Sequence, residues 1–131
     1  MLSYNMIKIF KTKLFGRWSE DEGLTDEDLC HAVDEIGRGL VEASLGAKLY
    51  KKRVARTGQG KSGGFRTIVT YQKEDRSIFL YGFDKGSKSN ISEKEKKIFK
   101  KMSGQFMGYN EKALNIVVKN GALIQVECED E

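Results

Sequence analysis

The 131-residue chain predicts an α+β fold. Three observations predict it: strand-like runs with period-two patterning at the start and middle of the chain, helical patterns of period 3.6 between and after them, and a capping residue at the head of three of those helices. The predicted order is strand, two helices, three strands and a helical extension. We read it as one domain over residues 1–131, with a core over 6–85 and the extension over 86–131, since such a length can bury a single hydrophobic core without metal or disulfide staples.

Met6-Ile7-Lys8-Ile9-Phe10 is rich in β-branched and aromatic residues and predicts a first strand at 6–11. Phe15 to Glu22 predicts a short helix, with Phe15 and Trp18 three apart and able to share a face. Thr25 before Asp26-Glu27-Asp28 reads as a capping box, and Leu29, Val33, Ile36 and Leu40 follow as the apolar stripe of a second helix. Ala47 to Ala55, Phe65 to Lys73 and Ser77 to Phe83 predict three antiparallel strands, with Glu74-Asp75-Arg76 turning between the last two. Ser92-Glu93-Lys94-Glu95 opens a third helix, whose buried stripe is read as Ile98, Phe99, Met102 and Phe106. Asn110 caps a fourth carrying Leu114, Val117 and Val118, Asn120-Gly121 ends it, and Leu123 to Val126 forms a short last strand.

An apolar fraction of 39% and a charged fraction of 32% exclude a disordered or membrane-spanning chain. No apolar run approaches the roughly 20 residues of a bilayer crossing, and Met1 to Phe10 lacks the features of a signal peptide, so a cytoplasmic protein without a membrane partner is expected. In that setting Cys30 and Cys128 read as two buried or half-buried thiols rather than a bridge.

The net charge of +4 conceals a segregation along the chain. Residues 1–44 sum to −4, residues 45–104 to +11 and residues 105–131 to −3. Leu45 to Lys73 holds eight cations and no acid. Such a run raises the local potential, and because it falls on strands and a glycine-rich loop it points to a polyanion partner, RNA first.

Ala55-Arg56-Thr57-Gly58-Gln59-Gly60-Lys61-Ser62 matches a loose phosphate-loop signature, but that chemistry needs a helix to start at the Lys-Ser, and here Gly63-Gly64 and a strand follow. The stretch reads instead as a glycine hairpin loop presenting Lys61, with backbone amides able to touch a phosphate. His31 is the only histidine, and no Cys/His or carboxylate spacing suits a metal; no cofactor is expected. The aromatics Tyr50, Phe65, Tyr71, Phe79, Tyr81 and Phe83 interleave with the cations; half should be core, and those left on an open sheet face could stack bases.

Tyr50-Lys51-Lys52-Arg53-Val54-Ala55-Arg56, Gly60-Lys61-Ser62-Gly63-Gly64-Phe65-Arg66-Thr67, Tyr81-Gly82-Phe83-Asp84-Lys85 and Asn90-Ile91-Ser92 resemble the RelE-like toxins of bacterial type II toxin–antitoxin modules, in the HigB-like branch with a helical C-terminal extension. The resemblance runs from about Met6 to Val126. It implies a RelE/ParE-like fold and an mRNA-cleaving toxin acting on ribosome-bound message, neutralised by an antitoxin that often carries a helix-turn-helix region. The similar ParE branch poisons gyrase instead, and a non-catalytic RNA-binding module is the other alternative.

RNA carries its own nucleophile in the 2′-hydroxyl, so a ribonuclease needs only a base, an acid and cations around the phosphorus. On that reasoning Arg53, Arg56, Lys61 and Arg66 hold the phosphate, with Lys51, Lys88 and Asp84 also on the RNA. Arg66 stabilises the transition state, Lys52, Tyr81 or Lys85 transfers a proton, and Asp84 orients a cation.

Overall fold

The structure, a computed structural model, describes residues 7–55 and 64–129. In chain order the elements are β1 (Lys8–Thr12), α1 (Lys13–Glu22), α2 (Asp26–Gly37), β2 (Ala43–Gly46), β3 (Leu49–Val54), β4 (Phe65–Gln72), β5 (Arg76–Phe83), α3 (Glu93–Met107), α4 (Glu111–Lys119) and β6 (Leu123–Gln125). This is the expected α+β order with one strand more, β2. Among the described residues no helix is long and apolar enough to cross a membrane.

Local chemistry sets the helix starts. Thr12 caps α1 by accepting from Phe15 N at 3.1 Å, two residues earlier than the pattern indicated. Thr25 and Asp28 form the predicted capping box of α2, Ser92 and Glu95 that of α3, and Asn110 Oδ1 accepts from Ala113 N at 2.8 Å to cap α4. Each cap satisfies amides that the helix itself leaves without partners.

The six strands form one sheet in the order β2-β3-β4-β5-β1-β6. β3, β4 and β5 are antiparallel as expected, but β1 runs parallel to β5 and antiparallel to β6. The β2–β3 hairpin turns on Ala47 and Lys48, both left-handed at φ 56° and 60°. Two positive φ values in a two-residue loop are what the strand twist demands, usually met by Asn-Gly, so Ala-Lys carries no visible hairpin signal. Ser103 Oγ donates to Ala47 O at 2.7 Å and ties this turn to α3.

Helices cover both faces. On one, Phe15, Leu29, Val33 and Ile36 of α1 and α2 pack with Ile9, Val54, Phe65, Val69 and Phe79. On the other, Phe99 of α3 and Leu114 of α4 pack with Phe10, Leu49, Ile68, Ile78, Leu80 and Phe83. The expected open face with stacking aromatics is therefore corrected: Phe65, Phe79 and Phe83 are core, while Tyr50, Tyr71 and Tyr81 are half-buried against it. Two stripe residues are corrected too. Leu40 lies beyond the end of α2, and Ile98 faces outward; each is 50% exposed, because the apolar period continued past the helix in one case and named the wrong side of Phe99 in the other.

The cysteine reading is also corrected. Cys30 of α2 and Cys128 form a disulfide across 98 residues, with Cα atoms 5.9 Å apart. Their approach follows from pairing. Val126 N donates to Ile9 O, Glu127 N to Asp26 Oδ2, and Lys11 forms an ion pair with Asp26 at 2.9 Å, so the segment after β6 is laid along the start of α2.

Candidate nucleic-acid interface

Register decides which cations meet. In an antiparallel ladder directly opposed residues share a face, and alternate residues do too. Arg53 opposes Arg66, which opposes Phe83; two residues along, Lys51 opposes Ile68, which opposes Tyr81. Both rows lie on the α3 side, since Phe83, Ile68 and Tyr81 belong to that core. Tyr81 reaches this side through an irregularity. Val69 pairs with Phe79 and Ile68 with Tyr81, so Leu80 is an extra residue, and the bulge puts Tyr81 on the face opposite to Phe79. Gly82 then turns to the other face beneath Trp18, where a Cβ would overlap the indole ring.

Arg66 is 5% exposed, and Glu42 Oε1 meets its Nε at 2.7 Å. This contact fixes the guanidinium through one N–H and leaves the group its two terminal nitrogens with four more. Arg53 is exposed and makes no ion pair with a described residue. Lys51 Nζ donates to Asn90 Oδ1 at 3.3 Å. Lys88 Nζ donates to the Tyr81 hydroxyl at 3.1 Å and to Glu95 Oε2 at 2.7 Å, and stands 5.1 Å from the centre of the Tyr81 ring. With one lone pair of Tyr81 taken by an ammonium, its own proton stays available for donation.

Asp84 and Lys85 are exposed in the turn after β5. The Asp84 carboxylate accepts from Gly86 N at 2.9 Å, and its carbonyl accepts from Ser87 N and Lys88 N, which shapes the turn that delivers Lys88. Lys52 stands apart. It opposes Thr67 in the row between the two cationic ones and so faces α2, where Nζ meets Glu35 Oε1 at 2.8 Å and donates to Leu40 O at 2.8 Å. A buried lysine that pins α2 to β3 replaces the proton-transfer role expected of it. Lys52→Met should cost about 1–3 kcal/mol of stability, measured by denaturant unfolding, and leave any activity of the opposite face intact. Arg56, Lys61 and the glycine-rich stretch around them lie outside the described residues.

The Lys88–Glu95 pair gives this corner a pH signature. The hydrogen bond from Lys88, and then that from Ser92 N, hold the Glu95 carboxyl below its usual 4.5. The hydrogen bond to Glu95, and then that to Tyr81, raise the Lys88 ammonium above 10.5. A depressed carboxyl stabilises the fold above its unfolded value and loses this as pH falls through the folded one; a raised ammonium does so below 10.5 and loses it as pH rises. Glu95→Gln, which keeps the capping geometry, should lower the melting temperature at neutral pH and converge on the parent as pH falls through the depressed folded-state value of Glu95, below which the carboxyl is protonated in both states. Equal melting temperatures at pH 7 would show that the pair contributes nothing.

Sequence reasoning missed Glu42, Asn90 and Glu95. Glu95 carried a signal as the acid of a capping box and Asn90 only as part of the family resemblance, and neither signal concerns the sheet. A family model described as "RelE toxin of RelE / RelB toxin-antitoxin system" matches residues 7–126. No curated protein matches the chain.

Proposed function

The chain belongs to the RelE toxin family of toxin–antitoxin systems, and from that premise we propose that it is a metal-independent endoribonuclease that cuts mRNA on the ribosome and so halts translation. The observation that carries this reading is the Arg53–Arg66 pair. Like charges directly opposite one another weaken a sheet, and Glu42 offsets only one of them, so the row is completed by an anion from outside. A phosphodiester fits, with the two guanidiniums as forks around its oxygens.

In the proposed reaction the 2′-oxygen bonds to the adjacent phosphorus, the bond from phosphorus to the 5′-oxygen breaks, the 2′-proton passes to a water molecule, and the 5′-oxygen takes a proton. Arg66 and Arg53 face the charge that grows on the phosphoryl oxygens. Tyr81 stands diagonal to Arg66, roughly 7–8 Å away along the ladder, and supplies the proton to the leaving oxygen. Lys88 is an ammonium at neutral pH and therefore acts as a cation, not as a base. Lys51, Asp84, Lys85 and, on their charge alone, Arg56 and Lys61 belong to the RNA contact. The family implies an antitoxin partner; a helix-turn-helix DNA-binding antitoxin is part of the proposal.

The test is a translating extract. Addition of the protein should cut the message, and the co-encoded antitoxin should prevent it. Intact message with trapped DNA breaks would assign the chain to gyrase poisoning instead, and protected RNA would leave it a binding module.

A further inference from the structure

Helix α3 carries five lysines, Lys94, Lys96, Lys97, Lys100 and Lys101, against two acids, Glu93 and Glu95, and Glu95 is taken by Lys88. Among the described residues none of the five forms an ion pair. Lys96 and Lys100, and likewise Lys97 and Lys101, stand at i,i+4, where like charges destabilise a helix, and two of these lysines lie in the first turn, where the helix dipole opposes cations. Among the described residues no ion pair relieves this arrangement.

Lys96 and Lys100 are half-buried along one edge of the helix. One turn on, Ser103 bonds the β2–β3 turn, and the Lys100 ammonium lies against the backbone of Gly46 at 3.3 Å from where a Cβ would stand. The edge of α3 is thereby set alongside the hairpin whose other strand carries Lys51 and Arg53. Spacings agree as well: alternate residues on β3 are about 6.6 Å apart and successive turns of α3 about 6 Å for four residues.

We propose that the Lys96–Lys100 edge of α3 is a phosphate track that continues the Arg53–Arg66 site and holds the same RNA strand for further nucleotides to one side of the cut. This rests on the nuclease reading above, and it gives the helical extension a binding role. A strand long enough to reach α3 is held at both places, whereas a very short one occupies only the arginine row.

The experiment compares 2′-O-methyl oligonucleotides, which cannot be cut, of about 4 and 12 nucleotides, by fluorescence anisotropy over a series of salt concentrations. For the long oligonucleotide, K96Q/K100Q should weaken binding about tenfold and lower the salt slope by roughly 1.4, the loss of two single-strand phosphate contacts; the short one should bind as it does to the parent. K112Q/K119Q on α4 should change neither, and circular dichroism verifies that each variant is folded. An unchanged long-oligonucleotide affinity and slope in K96Q/K100Q would overturn the track, and loss of binding to an acidic peptide in its place would assign these lysines to a protein partner. A parent protein that binds neither oligonucleotide, or cuts no message, fails the nuclease reading itself, a result distinct from failure of the track.

Discussion

Arg66→Ala is expected to slow RNA cleavage by on the order of 100-fold or more, because in the proposed reaction the guanidinium meets a phosphodiester that already carries one negative charge and gains more on its oxygens as the phosphorus is attacked. The residue is buried against Glu42, so the variant also loses an ion pair and some packing. Two companions separate chemistry from folding. Glu42→Gln removes the same ion pair but keeps the cation, and it should retain most of the rate. Arg66→Lys keeps a charge without the planar fork and should fall between the two. Cleavage of a defined message, followed at temperatures well below each variant's melting point, measures this series. An Arg66→Ala rate equal to that of the parent would remove the arginine row from the reaction.

The second large effect concerns stability. Cys30→Ser opens a loop of 98 residues, and closure of a loop of that size restricts the unfolded chain by about 4–5 kcal/mol. In a domain of this length that is a fall of roughly 15 °C in melting temperature. Scanning calorimetry of the oxidised parent against Cys30→Ser should show it, and a dithiol reductant should bring the parent down to the variant. The site itself lies on the other side of the sheet, so RNA cleavage at moderate temperature should be the same in both.

Much of this architecture was legible because it is local. Thr25, Ser92 and Asn110 mark their helix starts through hydrogen bonds to residues three places on. The strands β3, β4 and β5 announced themselves by composition. What was not legible depends on distant pairing. The parallel run of β1 against β5 joins Lys8 to Arg76, and only the union of β6 with β1 carries Cys128 to Cys30. β2 was missed because its turn uses Ala47 and Lys48 where a glycine or asparagine signal was expected.

The site divides in the same way. That Arg53 and Arg66 belong together follows from alternation once the register is known, but Lys51-Lys52 gives no hint of which lysine faces α3 and which faces α2. Strict alternation would also have put Phe79, Tyr81 and Phe83 on one face. The unpaired Leu80 overrides it and turns Tyr81 and Phe83 to the arginines' side while Phe79 stays beneath α1. Glu42, Asn90 and Glu95 come from a loop, a turn and a helix whose positions no local pattern fixes.

The interior position of β1, between β5 and the edge strand β6, bears on the order in which the molecule can assemble during its own synthesis. β1 leaves the ribosome early, yet its two neighbours in the sheet are β5 and β6, so it waits for about 70 residues to be made before the first arrives, roughly 4 to 14 s at 5–20 residues per second. β3 and β4 can pair in the meantime, but Tyr81, Lys88 and Glu95 arrive later, and the core that seats them is closed by α3 and α4. A growing chain thus holds its arginines long before it holds the rest of the proposed site. On the proposed reading, the ribosome that makes this protein is accordingly spared an active copy until nearly the whole polypeptide has emerged.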